Sequence, residues 1–344
     1  MKKVLFATTA LVATAGVASA EISLSGSAQM GIQGGTNSLA GVTVVTQFVQ
    51  DIDITFTMSG TADNGLTFGA AIDADENAAN VGTNDAGVAI FVSGEFGTLT
   101  MGDTDGALDW AMQEVDFNGA ASINDDHTVH AGFNGNGGLD GHFDGQILRY
   151  DYSFGDFAVA ISVEQDDNQT ATGNFFGAAI GNNAAVDADP IWGLGVRYTG
   201  SFGGGSFGVG LGYQFTNDGF DTIVGSQGVA ITGLSGRVAL DSGFSAAVNY
   251  SMIEVDGANN DGTHWGVGAS YTFDAITVHA NYGAYDWDAG AAAAPLGQLD
   301  SDGYGLSAAY DFGGGLSAHL GYGYGETGAA AGVSTWSLGL NMSF

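Results

Sequence analysis

The chain of 344 residues has no cysteine, two prolines and five lysines and arginines. Without cysteine it has neither disulfides nor thiolate metal centres, so stability has to come from elsewhere. With so little proline, no stretch reads as a stiff linker between domains. The few basic side chains face 38 Asp and Glu, giving a formal net charge of −33. That balance excludes a nucleic-acid partner held through its phosphates, which needs basic groups. Beyond residue 20 the basic side chains are Arg149, Arg197 and Arg237. No run in that part of the chain is apolar for the ~18 residues a membrane helix requires. A membrane crossing would therefore have to be a closed β-barrel, which satisfies its backbone between strands and has no open edge.

What is present argues for order despite the charge. Hydrophobic residues make up 45% of the chain, aromatics 11%, and there are 59 glycines. Highly charged disordered chains lack that apolar content. The acids then belong in solvated loops or a water-filled lumen. At the start, Lys2 and Lys3 precede an apolar stretch that closes on Ala18-Ser19-Ala20. This pattern reads as a secretory signal peptide over 1–20, cleaved before Glu21.

The dominant period is two. Ile52, Ile54, Phe56 and Met58 alternate with Asp51, Asp53, Thr55 and Thr57, and Trp336, Leu338, Leu340, Met342 and Phe344 alternate with Ser337, Gly339, Asn341 and Ser343. Such combs give each strand one apolar and one polar face. Many apolar faces end in Tyr, Phe or Trp, as at membrane interfaces, while the other face is Gly, Ser, Thr, Asn and Asp. Sixteen strands are expected, at 21–33, 46–59, 65–74, 87–93, 97–103, 146–154, 156–164, 191–199, 206–215, 229–240, 243–253, 264–274, 275–285, 303–312, 315–325 and 334–344. Their parity is least clear in 87–93 and 229–240. Short turns and longer loops alternate between them, as in an outer-membrane barrel. The fold expected is all-β, an antiparallel transmembrane barrel formed by one domain over 21–344. One connection, Asp103 to Gly145, is far longer than a hairpin needs. Loops of that length are usually functional, and inside a wide barrel this one would act as a constriction. Its "GALDWAMQEV" stretch has the makings of a helical turn or two.

The stretches "ITFTMSGTADNGLTFGAAI", "FVSGEFGTLTMGD" and "ILRYDYSFGDFAVAISVEQDD", with the long third loop and the terminal Phe344, resemble the general diffusion porins of alphaproteobacteria. The resemblance implies a trimeric, 16-stranded barrel in the outer membrane of a Gram-negative bacterium, with its third loop inside each barrel. It implies contact with outer-membrane lipid and lipopolysaccharide, and passage of small hydrophilic solutes and ions. It also implies that Phe344 is read by the outer-membrane assembly machinery. Deleting Phe344 should then harm insertion more than it harms the pore that does form. The family sets acidic residues of the third loop opposite basic residues of the wall. The acidic half is here as Asp103, Asp105, Asp109, Glu114, Asp116, Asp125 and Asp126. The basic half departs, with Asp51 and Asp53 on the second strand, where relatives tend to carry arginines.

The three arginines fall in the polar phase of expected strands six, eight and ten, which run in one direction. Alternate strands are ~10 Å apart, so the three form a short ladder on one lumen wall. A lipid-facing Arg would cost ~2–4 kcal/mol at mid-bilayer. The acidic excess predicts a cation-selective pore, because rings of carboxylates concentrate cations. Clustered loop carboxylates, including Asp125, Asp126, Asp140 and Asp144, are also candidates for a structural Ca²⁺, with no ligand set assigned. His127, His130 and His142 lack the spacing of a zinc site and read as loop or lumen histidines. No cofactor is expected. With 59 glycines, Gly-rich matches to phosphate-binding or nucleophile motifs carry no weight. No nucleophile–histidine pair is evident, so the reading is a passive channel and no enzyme. The alternative is a substrate-selective outer-membrane channel. Aromatics concentrated on the lipid-facing phase count against a sugar track in the lumen.

Overall fold

A computed structural model describes residues 21–36, 43–75, 87–116, 130–143, 145–165, 172–175, 178–181, 189–222, 225–256, 261–288 and 299–344. The signal-peptide reading of 1–20, Asp125, Asp126, His127 and Asp144 lie outside these residues.

The strands in chain order are β1 (Glu21–Thr36), β2 (Thr43–Thr61), β3 (Thr67–Asp75), β4 (Ala89–Gly94), β5 (Gly97–Gly102), β6 (Ile147–Phe154), β7 (Phe157–Glu164), β8 (Thr172–Phe175) and β9 (Ala178–Gly181). They continue as β10 (Ile191–Phe202), β11 (Gly205–Thr222), β12 (Gly225–Leu240), β13 (Phe244–Val255), β14 (Gly262–Phe273), β15 (Ile276–Trp287), β16 (Ser301–Gly313), β17 (Leu316–Thr327) and β18 (Val333–Ser343). One short helix, α1 (Ala107–Ala111), lies between β5 and β6. All strands except β8 and β9 form one closed antiparallel barrel, in which each strand pairs with its neighbours in sequence and β7 pairs directly with β10. This is the sixteen-strand barrel the period-two combs predict.

The ring closes through β1 and β18, from Ser27↔Ser343 to Gly35↔Thr335. The terminal Phe344 N–H donates to the Gly26 carbonyl at 2.9 Å. The C-terminal comb therefore has no free edge. Two features differ from the expected strands. The hairpin β8–β9 forms a separate two-stranded sheet in the connection between β7 and β10. In addition, β11 and β12 extend past the expected ends at 215 and 229, pairing again from Phe220↔Gln227 to Thr222↔Gly225 beyond a register shift. Periodicity does not reveal such an extension when a bulge changes the phase.

The two phases differ as patterned. Ile52, Ile54, Phe56 and Met58 are exposed on β2, while Asp51 and Asp53 are buried. On β13, Val248, Tyr250 and Met252 are exposed, while Ala247, Asn249, Ser251 and Ile253 are buried. An exposed apolar phase suits hydrocarbon. The other phase is not uniformly polar. Ile191 of β10, Val229 and Ile231 of β12, Ile253 and Val255 of β13, and Tyr285 and Trp287 of β15 cluster with Leu108, Met112, Leu139 and Phe143 of the β5–β6 connection. This accounts for the unclear parity of 229–240: β12 is apolar on one phase at Leu234 and on the other at Val229 and Ile231.

Candidate functional site: the β5–β6 connection and the wall it meets

The connection from Asp103 to Gln146 fastens to the buried phase of the wall, strand after strand. Ala107 N–H donates to Ser162 Oγ of β7 at 2.8 Å, and Gln113 N–H to Ser235 Oγ of β12 at 2.7 Å. Leu139 N–H donates to Gln214 Oε1 of β11 at 2.7 Å. Asn249 of β13 donates its amide to Asn136 Oδ1 at 3.3 Å. His264 of β14 and His279 of β15 donate from Nε2 to the carbonyls of Gly132 and Val115, at 3.0 and 2.9 Å. Ser301 Oγ of β16 donates to the Ala131 carbonyl at 2.9 Å.

Helix α1 comes closest to the wall because the wall has no side chains there. A Cβ on Gly195 of β10 would collide with the Ala107 carbonyl oxygen, and one on Gly210 of β11 with the Ala111 carbonyl oxygen. A Cβ on Gly212 would stand 2.9 Å from Leu108 Cα, and one on Gly233 of β12 2.7 Å from Met112 Cε. Alternating glycines on three consecutive strands thus form a seat for α1. This is the close backbone approach that only glycine permits.

The expected site residues divide into three groups. Asp51 and Asp53 lie on the buried phase of β2, where Ser27 Oγ of β1 donates to Asp53 Oδ2 at 3.0 Å. Thr55 Oγ1 donates to Asp73 Oδ1 of β3 at 3.2 Å, adding a carboxylate that the sequence reading did not single out. In the connection, Asp103 is exposed, Asp105, Glu114 and Asp116 are half-buried, and Asp109 is buried in α1. Asp116 Oδ1 lies 3.5 Å from His279 Nδ1. The arginines all carry their side chains on the phase that meets the connection. Arg149 donates from Nη1 to the Asp105 carbonyl at 2.5 Å and places Nε 3.5 Å from Asp151 Oδ1. Arg197 stacks 3.8 Å above the Trp110 ring and donates to the Trp110 carbonyl at 3.2 Å. Arg237 is half-buried two residues beyond Ser235. Two of the three arginines therefore lie beneath the connection, engaged with its backbone. Strands β2 and β12 stand diametrically opposite in the sixteen-strand ring, so Asp51 and Asp53 face the Arg237 side.

Sequence reasoning missed Glu164 and offered Asp140 only as a candidate calcium ligand, whereas both fasten the returning limb. Glu164 ends β7, is buried at 2% exposure, and accepts from the amides of Gly141, Phe143 and Gly145 at 3.0, 3.1 and 3.0 Å. Asp140 accepts from Gly106 N–H at 2.7 Å and from Gln214 Nε2 at 2.6 Å, joining the two limbs to β11. The signal available was a carboxylate at the last position of a strand, on the same phase as Ser162. Among the described residues no set of three or more His, Asp or Glu is arranged to hold a metal ion.

Two groups in the connection titrate away from their ordinary values. Burial, with Glu164 and Asp105 nearby, pushes Asp140 up to about 8 against the hydrogen bonds from Gly106 and Gln214. Burial brings His130 down to about 4, despite its bond to Asn281 and the nearby Asp302. Its geometry requires the neutral ring: Nδ1 accepts from Gly132 N–H at 3.2 Å, so Nε2 donates to Asn281 at 3.1 Å. The signs are opposite. Docked Asp140 keeps a proton that a freed one loses above its ordinary value of 3.8, so docking weakens as pH rises from there to about 8. Docked His130 refuses a proton that a freed one takes below 6.5, so docking weakens as pH falls from there to about 4. Between about 4 and 6.5 the slopes oppose. From 6.5 to 8 Asp140 acts alone, at ~1.4 kcal/mol per pH unit, for a total of about 2 kcal/mol. Amide-exchange protection in residues 130–143, corrected for intrinsic rates, is expected to fall by about thirtyfold between pH 6.5 and 8. Protection that rises over that last interval would show that Asp140 does not govern docking.

A model of the Gram-negative porins matches residues 7–330. The chain belongs to this family. Its barrel is an outer-membrane porin channel serving transport, and family and fold point to a channel rather than an enzyme. A curated porin of Rhodobacter capsulatus is 28% identical over 321 residues, covering 86% of this chain and 92% of that protein. Among solved structures, a porin refined at 1.8 Å resolution superposes with a TM-score of 0.68 at 24% identity, over 94% of this chain and 100% of that one. An anion-selective porin from Comamonas acidovorans reaches 0.63 at 12% identity, over 95% of this chain and 100% of that one. At those identities the two structures establish the shared barrel.

Proposed function

We propose that this porin is a trimeric, cation-selective diffusion channel whose Asp103–Gly145 segment lies inside the barrel as its constriction. The observation that carries the selectivity is the placement of charge. Every basic side chain beyond residue 20 is on β6, β10 or β12, and two of them are engaged by the segment's own backbone. The opposite wall offers Asp51, Asp53 and Asp73, and the segment itself adds Asp103 and Glu114. Carboxylates on both sides of a narrow aqueous passage raise the local cation concentration and exclude anions. The barrel is shared with an anion-selective porin, so fold does not set the sign of selectivity; the lining charges do.

The constriction reading is supported by the series of bonds from β7 to β16, all to the phase opposite the exposed apolar one. In a closed barrel that phase is the inside. The test is a zero-current potential across a planar bilayer with a tenfold KCl gradient. A cation-signed potential is expected, with conductance appearing in steps of three. An anion-signed potential would overturn the selectivity.

A further inference from the structure

We infer that Glu164 is the positioning residue of the constriction: an internal anion filling a nest of backbone amides at the root of the returning limb. The inference rests on the reading of Asp103–Gly145 as the constriction.

Three N–H groups, from Gly141, Phe143 and Gly145, converge on one carboxylate within 3.1 Å. Gly141 and Gly145 adopt φ of +70° and +79°. Backbone that turns several N–H groups toward one point makes a concavity for an anion. In this protein the anion comes from the wall. Glu164 pairs with Ile147 of β6 and Ile191 of β10, so its backbone is held on both sides by the barrel ladder. The loop is the movable partner and the carboxylate the fixed post.

The arrangement has a second consequence. A cradle of three amides at the root of a pore is by itself a site for passing anions. Filled by Glu164, it is closed to them, and the carboxylate's charge is spent on those amides rather than projected into the passage. Glu164 therefore governs how steadily the constriction is held, while Asp51 and Asp53 govern which ions pass. The apolar contacts of Leu108, Met112, Leu139 and Phe143 hold the rest of the segment whether or not Glu164 is present.

The experiment is single-channel recording of Glu164→Ala in an electrolyte with a bulky anion, before and after adding formate, the smallest carboxylate. Several-fold excess open-channel noise is expected, with the zero-current potential unchanged. Formate should return the noise to the wild-type level and leave wild-type channels unaffected. A quiet Glu164→Ala channel, or a noisy one that formate does not quieten, would overturn the proposal. Should the alanine variant fail to insert, Glu164→Gln serves, because its –NH₂ must face one of the three donors. Intermediate noise supports the clasp and wild-type quietness overturns it. Wild-type protein that does not conduct would end the constriction reading itself, whereas a conducting wild type with quiet variants ends only the role of Glu164.

Discussion

Replacing both Asp51 and Asp53 by asparagine is expected to cut the cation preference proposed for the channel several-fold, and replacing both by arginine to reverse its sign. The two carboxylates are on the same phase of one strand, with Asp73 on the next. No basic side chain stands on β1 to β5 to cancel them. Two unit charges 4 Å apart interact by about 1 kcal/mol even in bulk water, about a fivefold change in local ion concentration for each carboxylate at that range. Asparagine is the informative replacement because it keeps the shape and can still accept the bond from Ser27 Oγ. The barrel ladder is unaffected, so a changed potential reports charge alone. The asparagine pair should retain a weaker cation preference, because Asp73 on β3 and Asp103 and Glu114 of the segment remain. Salt provides a second control. The Debye length is about 10 Å at 0.1 M and 3 Å at 1 M, so the difference between variant and wild type should largely vanish at 1 M. An asparagine pair with the wild-type zero-current potential at 0.1 M would place the field elsewhere.

The barrel is legible in the sequence because a wall one residue thick between lipid and water must alternate, and alternation is visible without knowing what lies on either side. Asp51 and Asp53 are identified as inward by the same rule. The rule fails where the inner phase meets protein instead of water. Val229 and Ile231 are apolar because Leu139 and Leu108 cover that part of the wall, so β12 loses its contrast. It also gives a residue's side without giving its partner. Arg149 and Arg197 read as a ladder open to the passage, yet each is engaged by a carbonyl of the segment, Asp105 and Trp110. Glu164, Gln214, His264 and His279 are inward by phase. Their role depends on loop backbone up to 164 residues away, a separation no local pattern carries. The glycines of β10 and β11 are the exception that could have been read. Gly193, Gly195, Gly210 and Gly212 recur at every second position on adjacent strands, which is the pattern of a seat rather than of a turn.

That seat carries the second large expectation. Gly195→Val or Gly210→Val should reduce single-channel conductance to less than half and add current noise, while the barrel stays folded. A Cβ at either position meets a carbonyl oxygen of α1, Ala107 in one case and Ala111 in the other, and neither is the flexible end of a side chain. The strand cannot retreat, because each glycine is paired on both sides, Gly195 with Ala160 and Gly212, and Gly210 with Arg197 and Ser235. The collision is therefore relieved by α1 moving away from the wall, which on the constriction reading proposed above is into the passage. Even a shift of about 1 Å is large where packing is close, because overpacking costs typically 1–3 kcal/mol and is transmitted to neighbours. It would also lengthen the Ala107-to-Ser162 and Gln113-to-Ser235 bonds that hold the two ends of the helical stretch. The outer surface and the sixteen-strand ladder do not change, so resistance of the folded band to heating in detergent should stay close to wild type. Gly203, in the β10–β11 turn, is the control: a Cβ there would have nothing within 4 Å, so Gly203→Val should leave conductance unchanged. Wild-type conductance in both seat variants would mean that α1 is not held against this wall. A rise without noise would mean that it moves along the wall rather than off it.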